Sequence, residues 1–128
     1  MSREQTGALV VVNYPWPSQW ADALSVLERI RETGGTAAAD TFAVEADLST
    51  VDGPRHLVEE AVKQTGRKVD ILVNNAGLAL MTPLKEVTLE QWDRQVNLNA
   101  RGTLLLTQAT LLHLARNSRV VNLSSTGA

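Results

Sequence analysis

The stretch Lys68-Val69-Asp70-Ile71-Leu72-Val73-Asn74-Asn75-Ala76-Gly77 decides how this chain is read. Its first half is a short apolar run of the kind buried on both faces of a parallel sheet. Its second half is a turn of small and amide residues. A strand that stops on Asn-Asn-Ala-Gly puts that turn at the carboxyl edge of the sheet, where open α/β folds bind ligands. Ala76 and Gly77 leave room for a flat ring or a ribose against the backbone. The amides of Asn74 and Asn75 can tie neighbouring strands together. Alone, the motif also reads simply as a turn.

Outward from it, three further segments have the same strand-like character: residues 8–12, 41–46 and 119–123. Helical patterns lie between them. Ser18 can cap a helix that carries Trp20, Ala23, Leu24, Leu27 and Ile30 on one side and stops at Gly34 and Gly35. A second helix fits residues 54–65, with Leu57, Val58, Ala61 and Val62 inward and Gly66 after it. A third opens on the capping box Thr88-Leu89-Glu90-Gln91. It runs through Trp92, Val96 and the apolar stretch 104–114, bending near Gly102. Such alternation predicts βαβ units and a parallel sheet. With no repeat and no linker, residues 1–128 read as one domain.

Composition narrows the function classes. Twelve Lys and Arg stand against fourteen Asp and Glu, a net charge of −2. That balance removes the usual electrostatic case for nucleic acid. There is no cysteine, so disulfides, thiolate chemistry and Cys-based zinc sites are excluded. His56 and His113 are too far apart in sequence for a metal motif, and no metal is expected. No apolar run approaches the roughly 20 residues of a membrane span. Residues 1–7 lack a signal-peptide core. The expectation is a soluble, cytoplasmic protein with neither nucleic-acid nor membrane partners.

Three more constellations bear on chemistry. Asp47-Leu48 closes the segment 41–46 and sets a carboxylate acceptor beside a backbone donor, which complements the adenine edge; taken alone, Asp47 reads first as a cap for the following turn or helix. Asn97-Leu98-Asn99-Ala100-Arg101-Gly102 puts amides inside a helix, where they compete for backbone partners. That is either a solvated face or a bent, functional helix. Asn122-Leu123-Ser124-Ser125 ends a strand on two hydroxyls, able to bind a substrate oxygen or to form a turn.

Taken in order, Asp47-Leu48, Asn74-Asn75-Ala76-Gly77, the run from Trp92 to Asn99, and Asn122-Leu123-Ser124-Ser125 resemble the short-chain dehydrogenase/reductase family. Residues 10–14 and 68–73 look like that family's second and fourth strands, and the resemblance covers about residues 7–128. It implies a Rossmann-type α/β fold. It also implies hydride transfer between NADP or NAD and a small carbonyl compound or secondary alcohol. By the same resemblance Asp47 and Leu48 contact adenine. Asn74, Ala76 and Gly77 line the adenosine-ribose and nicotinamide side of the cofactor groove. Ser125 orients the substrate, and Asn99 holds a water in a proton relay. Asn13 ends the second-strand segment. An NAD site places an acidic residue there for the ribose 2′-hydroxyl; Asn13 does not repel a 2′-phosphate, which favours NADP.

The sequence departs from the family pattern at two places. No Gly-x-Gly occurs among its eight glycines; after Thr6-Gly7, Val11 stands where the fingerprint needs Gly. Those glycines let the backbone approach a pyrophosphate at a helix N-terminus. No Tyr-x-x-x-Lys occurs either: the one tyrosine is Tyr14, with Ser18 four residues on. The expected fold is therefore a partial Rossmann-type parallel sheet with the first strand missing and helices on both faces. Its strand order would be 3-2-4-5 in the family's numbering, with segments 10–12 and 71–73 paired directly. Helices 20–33 and 54–65 would cover one face and the helix from Thr88 the other. The leading functional expectation is a truncated NAD(P)-dependent oxidoreductase, inactive alone. The alternative is a non-catalytic fragment that joins a full-length relative through an open sheet edge. An oligomer is compatible with both.

Overall fold

The computed structural model describes residues 7–125. Strand and helix alternate, both strand pairs are parallel, and the fold class is the expected α/β. The chain divides between Asp47 and Leu48 into two compact units. Each has its own two-stranded sheet.

In the first unit, β1 (Val11–Tyr14) pairs with β2 (Phe42–Glu45), with α1 (Trp20–Thr33) between them in sequence. The register runs from Val11 opposite Phe42 to Tyr14 opposite Glu45. α1 packs on both strands. Ala23 and Leu27 are buried, as are Ala38, Val44 and Ala46. Gly34 closes α1 as expected, its N–H donating to the Ile30 carbonyl at 2.8 Å. Two boundaries differ from the sequence reading. Ser18 is not the cap: Pro17 pre-sets a helical φ, so Pro17–Gln19 form a 3-10 turn and Gln19 holds the N-cap without a side-chain bond. β1 starts later than residue 8 and runs past residue 12. Asn13 does not break the ladder, because its Nδ2 donates to the carbonyls of Val44 at 3.3 Å and Ala46 at 2.9 Å.

The second unit runs α2 (Gly53–Thr65), β3 (Val69–Asn74), α3 (Leu89–Val96), a π-helical turn (Asn97–Gly102), α4 (Thr103–Leu111) and β4 (Leu114–Asn122). α2 ends at Gly66 in the left-handed conformation, φ 62°, which a residue without Cβ adopts freely. α3 opens on the expected capping box: Thr88 Oγ1 accepts from the Gln91 N–H while the Gln91 side chain accepts from the Thr88 N–H. The bend expected near Gly102 is the π-helical turn. The helix stops short of Leu114. The His113 N–H closes on the Thr110 carbonyl, and the His113 carbonyl accepts the Val69 N–H, both at 2.8 Å. β4 therefore begins at Leu114 rather than Arg119. Its register jumps from Val69 opposite Leu114 to Ile71 opposite Arg119. Residues 115–118 leave the ladder there, with Asn117 at φ 65°.

Two expectations about packing are corrected. Among the described residues β1 bonds to β2 and β3 to β4, in place of the expected pairing of segments 10–12 and 71–73. Ile71 and Val73 stay 56% and 50% exposed, so the burial that should have driven the pairing is not realised. The second correction concerns layers. α2 packs on α4, and α4 on β3. Helix 53–65 thus shares a layer with the helix system from Thr88 instead of lying on the opposite face.

Candidate functional site

Asn74 is the last residue of β3 and is buried, 7% exposed. Its Nδ2 donates to Asn122 Oδ1 at 2.7 Å and to Thr107 Oγ1 at 3.1 Å. Its carbonyl accepts the Leu123 N–H at 3.0 Å. One amide therefore joins the ends of β3 and β4 and fastens both to α4. The consequence is positional. Asn75, Ala76 and Gly77 leave β3, and Ser124 and Ser125 leave β4, at the same carboxyl edge. All five are exposed. Asn74 Oδ1 is buried and has no hydrogen-bond partner.

The π-helical turn holds the backbone that follows. Asn99 Oδ1 accepts the Leu78 N–H and Asn99 Nδ2 donates to the Leu78 carbonyl, each at 2.8 Å. Both ends of the Asn99 carboxamide thus engage one residue just past Gly77. Nearby, Gln95 Oε1 accepts the Leu80 N–H at 3.2 Å. Arg101 Nη2 donates to the Ser49 carbonyl. Gly102 is buried, and a Cβ built on it would stand 2.5 Å from the Leu48 carbonyl oxygen. Leu48, itself 6% exposed, opens the second unit directly under that glycine.

Asn13 and Asp47 belong to the first unit. Asn13 sits near the carboxyl end of β1, and its Nδ2 reaches the Val44 and Ala46 carbonyls of β2 and its extension as well as that of neighbouring Tyr14. Asp47 is half-buried one residue beyond Ala46.

Two residues of this arrangement carried no functional signal in the sequence. Thr107 is one of three threonines in α4, and nothing in the local pattern sets it apart. Arg101 reads as a solvated charge until its contact with Ser49 is known. Among the described residues, no three metal-ligating side chains gather, and no helix is long and apolar enough to cross a membrane.

The residues present fit part of a nicotinamide nucleotide. A Cβ added at Gly77 would meet nothing nearer than Asn99 Oδ1 at 3.6 Å, so the edge is open where a ribose or flat ring would lie. A glycine-rich pyrophosphate cradle is not found among the described residues; Thr6, on which its alignment rests, lies outside them.

The family model for short chain dehydrogenase matches residues 6–128. An uncharacterized oxidoreductase of Methylorubrum extorquens is 44% identical over 119 residues, 93% of this chain and 45% of that protein. A blue fluorescent protein from a metagenomic library, in complex with NADPH, aligns with a TM-score of 0.81 at 32% identity, covering 94% of this chain and 47% of its own. An NADH-dependent reductase responsible for alginate metabolism aligns with a TM-score of 0.79 at 30% identity, covering 94% and 49%. The chain spans about half the length of the curated relatives it matches.

Proposed function

The chain belongs to the short chain dehydrogenase family, and from that membership we propose that it carries the cofactor-lining and substrate-orienting portion of an NADP(H)-dependent carbonyl reductase site. The observation that carries this reading is the shared carboxyl edge: Asn75 to Gly77 and Ser124-Ser125 emerge side by side because Asn74 locks the two strand ends.

A bound nicotinamide nucleotide would supply the hydride. The chain's own residues line the groove and orient the substrate. Asp47 accepts from the adenine amine and the Leu48 N–H donates to the ring. Asn74, through its backbone, and Ala76 and Gly77 line the ribose and nicotinamide side. The Ser125 hydroxyl donates to the substrate carbonyl oxygen as charge develops there. Asn99, fixed by Leu78, stands in the proton path from bulk water. Asn13, a neutral amide, does not repel a 2′-phosphate; its Nδ2 serves carbonyls and is not offered to the phosphate.

The 128 residues include no Tyr-x-x-x-Lys to deliver the proton. A positioned general acid contributes roughly 10²- to 10⁴-fold. A polypeptide of these residues, given NADPH and a panel of ketones, should show no loss of reduced-nicotinamide absorbance. Turnover that disappears in Ser125→Ala would overturn this account of the proton source. Titration with both cofactors tests the NADP preference, and tighter NADH binding would sink it.

A second reading has its own observation. Ile71, Val73, Val121 and Leu123 are 56%, 50%, 44% and 55% exposed and alternate along one face of the β3–β4 sheet. A non-catalytic role as partner of a full-length family member would cover that face. Mixing the two and measuring mass by light scattering decides it: a heterocomplex lost in Val73→Lys supports this reading, and unmixed species reject it.

A further inference from the structure

Two loops assigned above to the cofactor groove are held by one short piece of helix. Asn99 grips the Leu78 backbone through both halves of its carboxamide. Two residues on, Arg101 donates to the Ser49 carbonyl, and the next residue, Gly102, lets the helix touch the Leu48 carbonyl. All three lie in the π-helical turn Asn97–Gly102. Such turns concentrate at functional sites because an extra residue re-aims side chains that an α-helix would point elsewhere.

Arg101 is not behaving as a surface arginine. Its Nε is buried and has no hydrogen-bond partner. A guanidinium free to move would turn that donor to water, because a buried donor left unmade is costly. The side chain is instead drawn in along the helix to reach a backbone carbonyl 52 residues away in sequence. Nothing in the Ser49 carbonyl distinguishes it chemically; its place, one residue past Leu48, does.

We propose that Arg101 is a positioning residue for the adenine half of the groove, fixing the Leu48-Ser49 backbone while Asn99 separately fixes the backbone past Gly77. The π-helical turn then sets the spacing between the two halves. This rests on the functional reading above for what the loops bind, but the mechanical part stands on its own contacts.

Amide hydrogen exchange on the chain separates the two arms without any ligand. Arg101→Met should speed exchange about tenfold in residues 48–53, the scale of one lost charged hydrogen bond, and leave residues 71–73 and 78–80 unchanged. Asn99→Ala should do the reverse, loosening 78–80 and sparing 48–53. Arg101→Lys keeps a donor that can reach the carbonyl and should restore much of the protection. An unaltered 48–53 segment in Arg101→Met, or an equal rise through every segment, would overturn the proposal. Binding of 2′,5′-ADP should weaken about fivefold in Arg101→Met, while nicotinamide mononucleotide binding stays as in the parent. Absence of 2′,5′-ADP binding by the parent chain would reject the functional reading, and the exchange pattern would still decide whether Arg101 holds the loop.

Discussion

The carboxamide of Asn74 donates to the carboxamide oxygen of Asn122 across 2.7 Å, joining the ends of two strands that lie 48 residues apart in sequence. Both Nδ2 hydrogens of Asn74 are used, the second on Thr107. Replacing Nδ2 by oxygen would set a buried carboxylate against Asn122 Oδ1, with the Thr107 hydroxyl able to turn and donate to it. Asn74→Asp should therefore destabilise the second unit by about 2 kcal/mol at neutral pH, the cost of a buried charge with one donor and one opposed oxygen. Burial and the facing oxygen both raise that carboxyl's pKa, so its protonated form restores one bond and the loss shrinks as pH falls. Urea unfolding at two pH values checks this; equal destabilisation at both would contradict it.

Two glycines separate packing from binding. Gly102→Ala drives a Cβ to 2.5 Å from the Leu48 backbone oxygen, and backbone cannot swing aside as a side chain does. About 2 kcal/mol of stability should be lost. Gly77→Ala meets only ordinary contacts, at 3.6 Å and 3.9 Å, and should leave stability within about 0.5 kcal/mol. If the edge over Gly77 receives a ribose or nicotinamide ring, that same change should weaken NADPH binding. Unfolding curves and a fluorescence titration on both variants make the comparison.

The capping box at Thr88 is exposed and local, so its removal should act on helix stability alone. Thr88→Ala removes the acceptor for the Gln91 N–H and should cost about 1 kcal/mol. Thr88→Ser should recover most of it. A loss above about 2 kcal/mol in urea unfolding would mean that Thr88 has further partners.

Glu60 on α2 is held below the ordinary carboxylate range, first by its hydrogen bond from Lys63 and then by that from Gln64. A depressed carboxylate pKa gives stability that is present above the unfolded value and lost as pH falls through the folded one. Here the pair lies at the surface, with the Glu60 side chain partly covered and that of Lys63 exposed, and solvent screens it. Lys63→Met should raise the Glu60 titration midpoint, followed by NMR, with no change in unfolding midpoint at neutral pH. A midpoint that does not move would assign the shift to another neighbour.

Much of this was legible in the sequence, for reasons that differ by element. Strand Val69–Asn74 and helix Gly53–Thr65 announce themselves through continuous apolar residues and a Gly66 stop. The Thr88 cap is a two-residue pattern with one geometry. Helix α1 was found but its first turn was not, because Pro17 starts a helical turn that Ser18 would otherwise cap. The apolar run after Gly102 misled, since Leu112 and Leu114 look alike in sequence although Leu112 is 84% exposed and Leu114 begins a strand. The pairing of segments 10–12 and 71–73 followed from hydrophobicity alone, which has no direction and does not say which edge a strand bonds. Asn74 and Asn99 were singled out by residue type. Their partners Thr107 and Leu78 were not, since a contact over 33 or 21 residues leaves no mark in local pattern.

The excursion at residues 115–118 lies between two fixed points: Val69 is paired with Leu114 before it, and Ile71 with Arg119 after it. Beyond it the register is pinned by the Asn74–Asn122 lock, so its length does not propagate to Ser125. Loop closure depends only weakly on length, about 0.6 kcal/mol per doubling. That makes the segment a place where insertions and deletions are nearly neutral, a joint at which descendants of one chain can diverge in size while the serine keeps its address.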